Sequence, residues 1–209
     1  MRSPTEGQAI EPASDRFTEV RFSDSCKAPA EAVYDLLADL RTHLQWGGRD
    51  QTRVFRLLSL DAVPEPATPG TVFTSTGAIP GSVRRWQDRS EVTQAVRPSL
   101  FEFVTEATAA RGPKVMAATY RHRYELLPTD KGCRVSYSCR QERIAGPMLR
   151  LRLPVIRAMA WRVGIPMMMR RGFRNLLRLA EQQVHEPAPT RGDLDRADVE
   201  GKGRQDWRT

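Results

Sequence analysis

The sequence predicts an α+β fold: a bent antiparallel sheet of about seven strands, closed by one long helix. Three observations carry this expectation. Strand-like pieces follow one another through the middle of the 209-residue chain with only short turns between them. Connections that short join antiparallel neighbours. Helical spacing occurs in two places, once after the first strand and once, at length, over residues 147–183.

Taken in order, residues 17–26 read as a strand, with Val20, Phe22 and Cys26 on one parity. A helical region follows. Pro29 stands near its start, Ala32, Val33, Leu36, Leu37 and Leu40 recur at helical spacing, and Gly47-Gly48 ends it. Six strands are expected over 52–62, 70–79, 83–96, 99–107, 114–127 and 132–143. Turn signals separate them: Pro64-Glu65-Pro66, Pro69-Gly70, Pro80-Gly81, Arg97-Pro98, Gly112-Pro113 and Asp130-Lys131-Gly132. The final segment carries Pro154 and Pro166, each of which removes a helical hydrogen bond, so a broken or kinked helix is expected. Residues 1–15 and 185–209 lack apolar periodicity and read as disordered tails around one domain, 16–184.

Composition narrows the class. Hydrophobic residues make up 40% of the chain, enough for a core. The three cysteines, Cys26, Cys133 and Cys139, are odd in number and form no CxxC, which argues against a disulfide framework or zinc site and for a reducing compartment. A cytoplasmic location is expected, since residues 1–15 hold no apolar signal-type run and no stretch of about 18 apolar residues occurs. The net charge is +8, while both tails are net acidic, so the positive charge is concentrated in the middle of the chain. That permits an anionic partner. No helix-turn-helix, zinc-finger or RNP signature accompanies it, so nucleic acid is not the expected partner.

Several local patterns, in this order, resemble one superfamily. SCKAPAEAVYDLLADLRTHLQW resembles its opening strand-to-helix passage; PGTVFTSTG resembles a strand opened by Pro-Gly. WQDRSEVTQAVRPSLFEFVTE resembles its Trp-led strand, Pro turn and apolar strand, and YRHRYELLPTDKGCRVSYSCRQE its closing hairpin. Over residues 16–183 the chain resembles the START/Bet v 1-like (SRPBCC) superfamily, with its polyketide cyclase/dehydrase and lipid-transport members. The resemblance implies a helix-grip fold with a ligand tunnel between sheet and C-terminal helix. It implies no single activity, because members bind lipids, sterols, hormones or polyketides, and some are enzymes.

Strand parity proposes which side chains face that tunnel. Over 114–127 the inward set is Met116, Ala118, Tyr120, His122, Tyr124 and Leu126; over 132–143 it is Cys133, Val135, Tyr137, Cys139 and Gln141. A tight turn at Asp130-Lys131 sets His122 near Cys139 and Tyr124 near Tyr137. Phe101 and Phe103 alternate on the preceding strand. Trp86, Ser90 and Val92 share a parity with Asp88, which is expected near the rim because an unpaired carboxylate is costly inside. At about 100° per residue, Ala158, Trp161, Ile165, Met168, Met169, Gly172, Leu176 and Leu179 form the apolar face of the last helix. Arg157, Arg170, Arg171, Arg174 and Arg178 fall opposite and are candidates for an anionic membrane surface.

The expected ligand-lining residues are therefore Trp86, Phe101, Phe103, Met116, Tyr120, His122, Tyr124, Tyr137, Cys139, Trp161, Ile165 and Met168. The leading expectation is binding of a lipid or other hydrophobic molecule. The alternatives are a polyketide cyclase/dehydratase-type enzyme and a peripheral membrane protein. For an enzyme, His122, Tyr120 and Tyr124 would supply acid–base chemistry, and Cys139 beside His122 is the candidate thiol. No third orienting group accompanies that pair. His43, beside Leu44 and Trp46, is expected to be partly exposed, and His185 begins the tail. Three scattered histidines make no metal site, and no cofactor is expected.

Overall fold

The first strand, β1 (Glu19–Cys26), runs directly into the helix α1 (Ala30–Ala38). The structure is a computed structural model and describes residues 19–49, 56–78, 85–111, 114–145 and 160–185. Residues 1–15 and 186–209, Pro154 and the arginine at position 157 lie outside them, while His185, expected to begin the tail, is the last residue of the C-terminal helix. Pro29 is the N-cap of α1 with an extended backbone, Glu31 complements the helix dipole in the first turn, and Val33, Tyr34, Leu36 and Leu37 form the buried face. The helix stops at Asp39. Its carboxylate accepts from the Arg41 backbone N–H at 3.3 Å and from the Arg41 guanidinium, and a 3-10 turn, Leu40–Thr42, begins there. A π turn, Gln45–Arg49, follows, so the helical region ends as two short irregular turns.

Six strands then form one meander: β2 (Arg56–Asp61), β3 (Val72–Ala78), β4 (Arg85–Val96), β5 (Leu100–Arg111), β6 (Lys114–Thr129) and β7 (Gly132–Ala145). With β1 they build a seven-stranded antiparallel sheet in the order β1-β7-β6-β5-β4-β3-β2. His122 pairs with Cys139 and Tyr124 with Tyr137, the register expected from the tight turn. Bulges at Leu57/Ser59, Val92/Gln94 and Thr119/Tyr120 add local bend. The β6–β7 turn needs glycine: Gly132 has φ +126°, and a Cβ there would overlap the Cys26 carbonyl and the Lys27 backbone.

The long helix α2 (Ile165–His185) lies against β1, α1 and the 45–49 turn. The irregularity expected at Pro166 takes the form of a π turn, Ala160–Gly164, that leads straight into α2. Pro166 thus sits in the first α turn, where a missing N–H is tolerated. The buried face of α2 is Gly172, Phe173, Leu176, Leu177 and Ala180, with Met169 and Leu179 partly buried. Phe173, Leu177 and Ala180 were absent from the expected face, whose centre is therefore corrected toward the later residue of each pair. These side chains meet Val33, Leu36, Leu37, Phe101, Leu126 and Val135 in one core. Polar ties fix the helix along its length. The Lys27 backbone N–H donates to Glu181 at 2.8 Å, Asn175 donates to the Trp46 carbonyl at 3.3 Å, and the Cys26 thiol reaches the Leu177 carbonyl.

Candidate functional site

The inner face of the sheet is divided. Toward α1 it is packed shut: Phe101 is fully buried and meets Tyr34 edge-on at 6.1 Å, and Leu126, Val135 and Cys133 are buried beside it. Toward the other end the floor is small. Ala107 and Ala118 pair across β5 and β6, Ala109 continues the row, and all three keep accessible surface. Trp86, Asp88, Tyr120 and His122 stand around that floor, each half-buried.

His122 is the best-defined polar group. Its ring stacks on Phe103 at 4.6 Å and 12° between planes, and Nδ1 lies 2.8 Å from the Tyr137 hydroxyl. That hydroxyl donates to Met169 Sδ at 3.8 Å, so it accepts from an Nδ1–H and leaves the Nε2 lone pair of a neutral imidazole. Burial, helped by the charge of nearby His43, lowers the His122 pKa to about 4. The tyrosines differ. Tyr124 and Tyr137 are buried, and burial holds both hydroxyls protonated; Tyr120 is half-buried, its ring 6.5 Å from His122. Cys139 faces His122 across the hairpin but is fully buried, and burial pushes its thiol up to about 12. With His122 bonded to Tyr137 instead, this thiol is not an activated nucleophile.

His43 is a correction. It is 5% exposed, not partly exposed. It donates Nε2–H to the Leu37 carbonyl at 3.0 Å, and its ring lies 4.6 Å from Trp46, 6.1 Å from Phe73 and 6.3 Å from Phe103. Burial lowers its pKa to about 4 despite that hydrogen bond. The short turns after α1 rotate it inward, and no periodicity signals such turns. Asp88, expected near the rim, is half-buried on the inner face of β4. Burial raises its pKa to about 6, against hydrogen bonds from Trp86 and Ser75. Its Oδ1 is covered and has no hydrogen-bond partner among the described residues. The Trp86 ring occupies the space a Cβ would need at Gly77. Ser90 and Thr105 complete a polar strip with a 2.8 Å hydroxyl contact.

Of the expected lining residues, Trp86, Tyr120, His122, Ile165 and Met168 are half-buried, whereas Phe101, Phe103, Tyr124, Tyr137 and Cys139 are buried. The side chains at positions 116 and 161 lie outside the described residues. Among those described, no three His, Cys, Asp or Glu residues are grouped to hold a metal ion. No described helix is long and apolar enough to cross a membrane.

The sequence matches one known family over residues 18–181: polyketide cyclase / dehydrase and lipid transport. The chain belongs to this family. Solved structures agree in fold. A protein from Rhizobium leguminosarum superposes with a TM-score of 0.57 at 10% identity, covering 78% of this chain and 94% of that one. A protein of unknown function from Staphylococcus aureus gives 0.57 at 11%, covering 80% and 96%. One from Chromobacterium violaceum gives 0.55 at 14%, covering 78% and 98%. At these identities the fold alone is what is shared. No curated protein matches the chain in sequence.

Proposed function

We propose that this protein binds a hydrophobic small molecule or lipid in the concavity between the sheet and α2. One observation carries the reading. At the open end, small side chains form the floor; His122 is deeply set against Phe103 and Tyr137 yet keeps accessible surface, as do Tyr120 and Trp86 beside it. Depth combined with accessibility is what a ligand space requires; a packed core would cover the same groups. The strip of Asp88, Ser75, Ser90 and Thr105 supplies the few polar groups that orient an apolar ligand. Three buried free thiols suit a reducing compartment, and we place the protein in the cytoplasm. Native mass spectrometry of protein purified without added lipid tests the reading, followed by titration with a fluorescent fatty acid. Ala118→Phe should fill the floor and weaken binding about tenfold or more, near 1.4 kcal/mol per decade. Unchanged affinity in a folded variant would remove the concavity as the site.

A second reading, a cyclase or dehydratase, is favoured by His122 alone: a neutral imidazole, oriented through Nδ1, with Nε2 left to accept a proton. Its test is His122→Gln. A catalyst would lose turnover with its ligand affinity intact, whereas a binding protein would change only modestly in affinity.

A further inference from the structure

The arginines of α2 do not simply face solvent. With β1 they wall a groove of about 970 Å³. Arg21, Arg162, Arg170, Arg171, Arg174 and Arg178 line it, against one carboxylate, Glu19. Glu19 is already engaged by Arg21 at 2.9 Å. Among the described residues, no carboxylate lies within ion-pair distance of Arg170, Arg171, Arg174 or Arg178. Arg170 is held instead over the Phe22 ring, 5.2 Å from its centroid, which fixes one guanidinium in the groove wall. The helix accepts a cost for this pattern. Arg170 and Arg174, and Arg174 and Arg178, are like charges four residues apart, and such pairs oppose helix formation. The same wall carries Val163, 60% exposed, and Met167, 66% exposed. The guanidinium groups of Arg170, Arg171, Arg174 and Arg178, with no carboxylate in ion-pair distance among the described residues, call for phosphate, and the exposed apolar side chains beside them call for acyl chain.

We infer that the groove between β1 and α2 docks the protein on a bilayer bearing anionic phospholipid, with the arginines on the phosphates and Met167 and Val163 at the acyl boundary. The inference stands apart from the ligand-binding reading, because the residues lining the groove are none of those that ring the concavity, Trp86, Asp88, Tyr120 and His122.

Liposome co-sedimentation tests it, using phosphatidylcholine vesicles alone and vesicles with equal parts phosphatidylglycerol. Binding should require the anionic lipid and weaken as salt is raised. Arg171→Gln combined with Arg174→Gln should weaken it about twenty-five-fold, at about fivefold for each basic residue near the surface. These side chains are exposed and the change relieves two like-charge pairs, so the variant should melt no lower than the parent. Met167→Ser should weaken vesicle binding further, and inorganic phosphate at matched phosphate concentration should not displace the protein. Equal binding to neutral vesicles, or a double variant that binds as well as the parent, would overturn the proposal. So would full displacement by inorganic phosphate with no effect of Met167→Ser, which would make the groove a site for a free anion. Tighter binding to an oligonucleotide than to anionic vesicles would overturn it as well.

Discussion

His43 and His122 fold in the neutral state, and this couples stability to pH. Both pKa values fall from 6.5 to about 4, chiefly by burial. Their contribution is therefore complete above about pH 6.5 and is lost as pH falls toward 4. For His43, the more deeply buried, it amounts to roughly 3 kcal/mol. Asp88 acts in the opposite sense. Its pKa is raised to about 6, so the folded state holds that proton more tightly, and the resulting stability is lost as pH rises through 6. Two histidines against one aspartate leave a net loss on acidification. Melting temperature measured from pH 7 to 4 should fall, less steeply for His122→Phe and more steeply for Asp88→Asn. Gly132→Ala should cost about 3 kcal/mol in urea unfolding, combining left-handed strain with overlap at the Cys26 carbonyl. At this scale the sequence was readable wherever two constraints met: parity and a tight turn together placed His122 beside Cys139 and Tyr124 beside Tyr137. It was not readable at His43, where the inward direction depends on a 3-10 and a π turn that leave no repeat to detect.

At the scale of elements, α2 shows how far an angular reading reaches. Met169, Gly172, Leu176 and Leu179 were assigned to the correct side, but the buried centre also takes Phe173 and Leu177, because the helix packs on α1 as well as on the sheet edge. Leu176→Ala should destabilise by about 2–5 kcal/mol, since Leu176 is fully buried and the helix cannot close over the space. On the convex face, alternation marks Glu102 as solvent-facing, yet it is 3% exposed. Arg121 and Arg123 donate to its two oxygens at 2.7 and 3.2 Å, and Thr93 donates at 2.7 Å. Burial pushes this carboxyl up, but those three donors outweigh burial and hold it below its ordinary value. Its stabilisation is present above the unfolded pKa, near 4.5, and is lost as pH falls through the depressed folded value. Glu102→Gln should cost about 1–2 kcal/mol at pH 7, discounted because both arginines remain partly solvated, and should flatten the stability curve below pH 4.5.

For the whole molecule, strand order and hairpin register follow from alternation and turn chemistry, both local in the sequence. The open end of the concavity was harder to foresee. It depends on Ala107 and Ala118 meeting across two strands, and on which inner residues the helices leave uncovered. The same distant assembly governs β1. It is made first, yet among the described residues its partner in the sheet is β7, the last strand: Ser23 meets Ser136 across 113 residues of chain. Closing such a loop comes late, because its entropy must be spent before the contacts repay it. At ribosomal rates, β1 emerges on the order of ten seconds before its partner. Through that interval its apolar Val20 and Phe22 and its bare backbone edge have nowhere in the sheet to go. The charges at Glu19, Arg21 and Asp24 alternate along the same strand and keep the waiting segment soluble until β7 arrives.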